Sequence, residues 1–149
     1  MSYRGSSRPL DQITQGIDSD VKLYEIVDQM FRLPEHQIRR VLGYTSTTAY
    51  RRVHERLASS IDRAIEYLKN KKDVTSAIAD LTKSLVLVRY QRARNQLSEN
   101  LASILEDIIN KLVDEIRKAS DKSEDLMKKL ERARSLIDAI AVLAYEYGK

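Results

Sequence analysis

Between Gly43 and Gly148 the chain contains neither glycine nor proline. These two residues most strongly interrupt helices, glycine through backbone freedom and proline through its missing N–H and its ring. Apolar residues in this span recur by threes and fours, with no strand-like alternation. The series are Val53, Leu57, Ile61, Ala64, Leu68; Ile78, Leu81, Leu85, Val88; Leu97, Leu101, Ile104, Ile108, Leu112; and Leu126, Leu130, Ala133, Ile137, Ile140, Ala144. That period puts each series on one helical face. It predicts an all-α fold, a compact bundle of about five to six helices.

Local signals place the ends. Residues 1–17 read as a flexible N-terminal arm and 18–149 as a single helical bundle domain. Ser19 suits the N-cap of a first helix to about Phe31. Pro34 suits the first turn of a short helix that Gly43 stops after Leu42. A third helix follows the Thr-Ser-Thr-Thr run at 45–48 and reaches about Lys69, with a turn at 70–73. Helices at about 75–95 and 98–118 read as nearly continuous, interrupted only by Asn95 and Ser98. The last helix starts near Ser123 and ends at Gly148. It carries Leu136 and Leu143 outside its main stripe, with Tyr145 close by. It is therefore either sandwiched in the core or, with Leu136 and Leu143, a subunit contact.

A length of 149 residues fits one domain with one core. No apolar run approaches the ~18 residues of a membrane span, and residues 1–17 lack a signal peptide's apolar centre. The expectation is a cytoplasmic protein without a membrane partner. Having no cysteine, the chain forms no disulfide and no thiolate metal site.

Catalytic patterns are missing. The only histidines, His36 and His54, have no third ligand at metal-binding spacing. There is no Gly-rich phosphate loop and no nucleophile elbow. Glu106 and Asp107 are adjacent and so face two directions on a helix. A non-enzyme without cofactor is expected.

Charge is more informative. Residues 32–72 hold ten Lys/Arg against four Asp/Glu, and residues 83–94 hold Lys83, Arg89, Arg92 and Arg94 without an acid. The other segments are slightly acidic, so the basic charge is concentrated as on a polyanion-binding surface. On a helix Arg52, Arg56 and Arg63 fall within about 40° of one another. The neighbouring ridge of Arg51, Glu55, Asp62 and Glu66 is expected to neutralise itself through i,i+4 pairs. Lys83, Leu87, Tyr90 and Arg94 share a face within about 60°. An aromatic flanked by cations either stacks a base or sugar or packs at a helix interface. Arg92 lies near its helix's apolar stripe and requires a carboxylate, a phosphate or a subunit boundary. With Arg39, Arg40 and Arg89, these complete the candidate RNA-binding set.

Residues 35–53 also imitate a helix-turn-helix, a short helix, a Gly turn and a Ser/Thr-initiated helix with arginines near its start. A DNA-binding regulator and a protein–protein adaptor bundle are the alternatives to RNA binding.

Three segments carry a family resemblance. Leu33-Pro-Glu-His-Gln-Ile-Arg39 is similar to the Leu-Thr-Thr-Ser-Gln-Ile-Arg segment of the small subunit of Csm-type (type III-A) CRISPR–Cas effector complexes. Leu85-Val-Leu-Val-Arg-Tyr90-Gln-Arg-Ala-Arg94 resembles that family's Leu-Lys-Pro-Lys-Leu-Ala-Tyr-x-x-x-Arg helix. Asp138-Ala-Ile-Ala-Val-Leu-Ala-Tyr145-Glu-Tyr-Gly148 resembles its closing Glu-Ala-(apolar)₂-Ala-Tyr-(x)₃-Tyr-Gly-Gly. Leu85 and Leu87 stand where the family has lysines, and Lys149 replaces its second closing glycine. The resemblance implies a small all-helical, non-catalytic protein that stacks in several copies with other effector subunits. It implies basic contacts to the crRNA or target RNA backbone along the guide–target duplex, in antiviral defence. By residue match Arg39 and Arg94 carry that role.

Overall fold

The computed structural model describes residues 10, 12–119 and 124–148; 86% of them are helical and none is in a strand. Six α-helices are present among them: α1 (Asp20–Phe31), α2 (Glu35–Leu42), α3 (Thr47–Glu66), α4 (Val74–Ala93), α5 (Glu99–Lys118) and α6 (Glu124–Tyr147). A 3₁₀ turn at Ile13–Ile17 precedes α1, and a π-helical turn at Tyr67–Lys71 extends α3. The fold is the expected all-α bundle. Among the described residues no helix is long and apolar enough to cross a membrane.

Short polar side chains start the helices by satisfying N–H groups that have no intrahelical partner. Ser19 Oγ accepts from Lys22 N at 3.2 Å, as expected of it, and Ser46 Oγ from Ala49 N at 3.1 Å. Asp73 Oδ1 and Ser98 Oγ accept from Ser76 N at 3.0 Å and Leu101 N at 3.1 Å. Pro34 sits one residue before α2 rather than in its first turn. The expected start of the last helix at Ser123 lies outside the described residues.

Two corners differ from expectation. The stretch read as nearly continuous helix folds back on itself: Asn95 adopts φ +61°, and α5 packs along α4. Ser98 fastens this corner, its N–H donating to Thr45 Oγ1 at 2.9 Å and its Oγ to the Val41 carbonyl at 2.6 Å. Gly43 faces it with φ +54° and ψ −127°, and a Cβ there would stand 3.1 Å from Ser98 Cβ. After α3, the helix widens into the π turn, and Lys72 (φ +51°) reverses the chain. The turn expected at 70–73 thus begins inside helix.

Packing decides the ambiguity of the last helix. α6 touches α1, α2, α3, α5 and the 3₁₀ turn, and so forms the centre of the bundle. Leu136 is 0% exposed and Leu143 is 6% exposed. Both belong to the chain's own core, and their assignment as a subunit contact is corrected. The described part of the expected arm is corrected as well: Ile13, Gly16 and Ile17 are buried, and both Leu136 Cδ atoms lie 3.2 Å from where a Gly16 Cβ would stand. Leu10 is buried too; residues 1–9 and 11 lie outside the described residues.

Candidate nucleic-acid interface

α4 turns its apolar series inward, with Leu81 and Val88 buried and Ile78 and Leu85 packed partly against the core, but it buries polar residues beside that series. Its buried residues are Ala77, Asp80, Leu81, Ser84, Val88 and Gln91, three of them polar. Two apolar residues face solvent instead: Val86 is 63% exposed and Tyr90 55%. Asp80 and Ser84 are satisfied across the interface with α3. Arg63 donates twice to Asp80, Nε to Oδ2 at 3.0 Å and Nη2 to Oδ1 at 2.8 Å. Ser84 Oγ donates to Ser60 Oγ at 2.6 Å.

These two contacts set an antiparallel register that brings Arg56 level with Leu87 and Arg52 level with Gln91. A groove results between the helices, about 400 Å³ in volume and lined by Arg56, Lys83, Val86, Leu87 and Tyr90. The two basic stretches of the sequence therefore converge on one surface. Arg94 extends it, its Cζ lying 5.4 Å from the centroid of the Tyr90 ring. Beneath the groove, the Asp80 carboxyl is held below its ordinary range, first by the Arg63 hydrogen bonds and further by the nearby positive charges of Arg63, Lys83 and Arg56. Three cations surround one carboxylate, and the surface retains excess positive charge.

The candidate residues divide. Arg52, Arg56, Lys83 and Arg94 make no ion pair among the described residues, and Tyr90 is exposed rather than packed at a helix interface. Arg63 is engaged by Asp80, with its side chain still 44% exposed, and so differs from the unpaired cations. Arg92 Nη1 bonds Glu106 Oε2 at 3.0 Å, which supplies the carboxylate its position requires. Arg89 Nη2 reaches Glu106 Oε1 at 3.3 Å, so one buried carboxylate is shared by two guanidinium groups. Arg92 is thereby structural, while Arg89 keeps most of its side chain in solvent.

Arg39 belongs to a different cluster. Its Nε bonds Glu35 Oε2 at 2.6 Å, its Nη1 donates to the Tyr147 carbonyl at 3.1 Å, and its Cζ lies 5.6 Å from the Tyr147 ring centroid. It caps the C-terminal end of α6, where a cation complements exposed carbonyls. Arg40 beside it is exposed. The two residues carried over by resemblance, Arg39 and Arg94, thus stand in separate surroundings.

Sequence spacing missed two features. Val86 lies off the apolar series of its helix, which was the available sign that it faces outward. The α3–α6 polar network had no local sign. Asp62 pairs with Arg134 Nε at 3.2 Å rather than within its own ridge; Arg134 also bonds Asp138, which receives His54 Nε2 at 2.9 Å. Tyr50 is buried beside His54 and Tyr145; burial pushes its hydroxyl pKa above the ordinary phenol value, and no partner to that hydroxyl is found among the described residues. No family model, curated protein or solved structure matches the chain.

Proposed function

We propose that this chain is a non-catalytic RNA-binding small subunit of a type III CRISPR–Cas ribonucleoprotein. In this role it stacks with other copies and other effector subunits along the guide–target RNA duplex in antiviral defence. The observation that carries RNA binding is the convergence of Arg56, Lys83 and Arg94 around exposed Tyr90 at the α3–α4 groove, with Arg52 exposed one turn along α3 from Arg56. Phosphate contacts position a strand without reading its sequence, which suits a subunit whose partner strands are matched by base pairing. The three-segment resemblance supplies the assembly.

The helix-turn-helix alternative draws on α2 and α3, which are joined by a four-residue turn. That turn is covered, because Ser46 N–H donates to the Gln96 carbonyl at 3.0 Å and Thr45 Oγ1 accepts from Ser98 N. At the start of α3, Ala49 and Tyr50 are buried and Thr48, Arg51 and Arg52 are exposed.

Fluorescence anisotropy with unrelated RNAs and DNA duplexes separates the readings. Binding that ignores sequence and falls steeply with salt supports the RNA subunit. Strong preference for one palindromic duplex supports the regulator instead. Native mass spectrometry of a particle reconstituted on guide RNA tests stacking, and a single copy at every guide length overturns it.

A further inference from the structure

We propose that the α3–α4 groove holds one unpaired nucleotide, its base stacked on Tyr90, so that this surface binds single-stranded RNA in preference to duplex. The inference rests on the RNA-binding reading above and narrows it: the part of the RNA that enters this groove is an unpaired nucleotide beside the guide–target duplex, not the duplex itself. A phosphate track needs only cations. This groove adds an aromatic ring and two aliphatic side chains, Val86 and Leu87, on a helix face that an isolated protein would ordinarily keep polar. Leu87 packs partly against the core, whereas Val86 and Tyr90 are left outside because α4 directs Asp80, Ser84 and Gln91 inward.

The arrangement suits a nucleobase. The Arg94 guanidinium covers one side of the Tyr90 ring, yet more than half of the residue remains exposed. Aromatic rings stack bases of any sequence because every base has a π-face, and an arginine on the same ring strengthens the platform. Val86, one turn back from Tyr90, and Leu87 contribute the aliphatic wall. Lys83 lies two turns back, about 10.5 Å along the axis, and Arg56 on α3 stands level with Leu87, between Lys83 and Tyr90. That separation lets the cations take flanking phosphates while the ring takes the base. A volume of about 400 Å³ is that of a small-molecule site and suits one nucleobase. In a duplex both faces of each internal base are already stacked, so none is available to Tyr90.

The test uses the full chain and a short, non-self-complementary RNA carrying one 2-aminopurine, free or annealed to its complement. The wild type should bind the free strand more tightly and quench its fluorescence on binding. Tyr90→Ala should weaken single-strand binding by about tenfold, with much less effect on the duplex. Tyr90→Phe, which keeps the ring, should retain binding and quenching. Equal losses on both RNAs, or none on the free strand, would overturn stacking. If Arg56→Ala and Lys83→Ala weaken binding while Tyr90→Ala does not, backbone binding survives and only the base site falls. A wild-type protein that binds neither RNA removes both readings. Superimposable circular dichroism of the variants excludes misfolding, as expected for a residue on the surface.

Discussion

Arg63 and Asp80 meet across the α3–α4 packing in a two-pronged ion pair, with separations of 3.0 and 2.8 Å. The pair lies at the edge of the candidate surface, so it joins the stability of the bundle to the charge of the groove. Ser60 and Ser84, one turn along, continue the same seam. An apolar seam would let the two helices slide past each other at little cost. A bidentate guanidinium–carboxylate pair allows one register.

Removing one partner of such a pair leaves the other poorly solvated. Arg63→Ala should therefore lower unfolding free energy by about 2 kcal/mol, less than for a fully buried pair because the arginine is partly exposed. Urea denaturation measures this. The slope of log affinity for RNA against log salt should stay as in the wild type, since Arg63 is already engaged by Asp80; a slope reduced by one would place Arg63 among the phosphate contacts.

The acid side of the stability profile follows from two carboxylates. Asp80 is held low by Arg63, and Glu115 by its hydrogen bond to Lys129 at 2.9 Å, with Lys118 and Lys111 adding to the effect. A depressed folded-state pKa contributes stability that is complete above the unfolded value. It is lost as pH falls through the folded one. Stability should hold from neutral pH down to about pH 5 and decline from about pH 4 downward. In Asp80→Asn and Glu115→Gln proteins the urea midpoint should be lower at pH 7 and should fall less on acidification. An unchanged pH dependence in both would contradict the assignment.

The groove cations should behave oppositely to Arg63. Alanine at Arg52, Arg56, Lys83 or Arg94 should leave thermal stability within about 0.5 kcal/mol, as for exposed positions without an ion pair. Each replacement should reduce the salt slope of RNA binding by about one and weaken all RNA sequences alike. A quadruple variant with unchanged RNA affinity would place the binding surface elsewhere.

Leu136 and Leu143 should report on folding, not on assembly. Leu136→Ala should cost about 2–5 kcal/mol, because the side chain is enclosed by the 3₁₀ turn and the other helices. Aspartate at either position should abolish the cooperative thermal transition. Val142 lies between them in sequence but is exposed, and Val142→Asp should fold normally. A stable, monomeric Leu136→Asp protein would show that the core has been misassigned.

Helix content and most of the interior were legible in the chain itself. The apolar series of α3, α5 and α6 are buried throughout, since a 3.6-residue period and freedom from glycine and proline are properties of the local sequence. So were the Ser19 cap, the stop at Gly43 and the shared face of Lys83, Leu87, Tyr90 and Arg94. What one helix cannot encode is which neighbour meets each of its faces. Leu136 and Leu143 were equally compatible with a subunit contact until five neighbouring elements enclosed α6. Ile13 and Ile17 sat among polar residues that suggested an arm, yet the groove above Leu136 accepts them. Tyr90 was open between a base and a helix interface, and Asp80, Ser84 and Gln91 lie outside the apolar series of α4, where spacing alone chooses solvent. The partners on α3 reversed that choice for Asp80 and Ser84, because a buried carboxylate is tolerated where a guanidinium meets it in two hydrogen bonds. The same long-range pairing separated Arg63 and Arg92 from Arg52, Arg56, Lys83 and Arg94: the sequence determined that arginines were clustered, and only the tertiary structure decided which were left for a ligand.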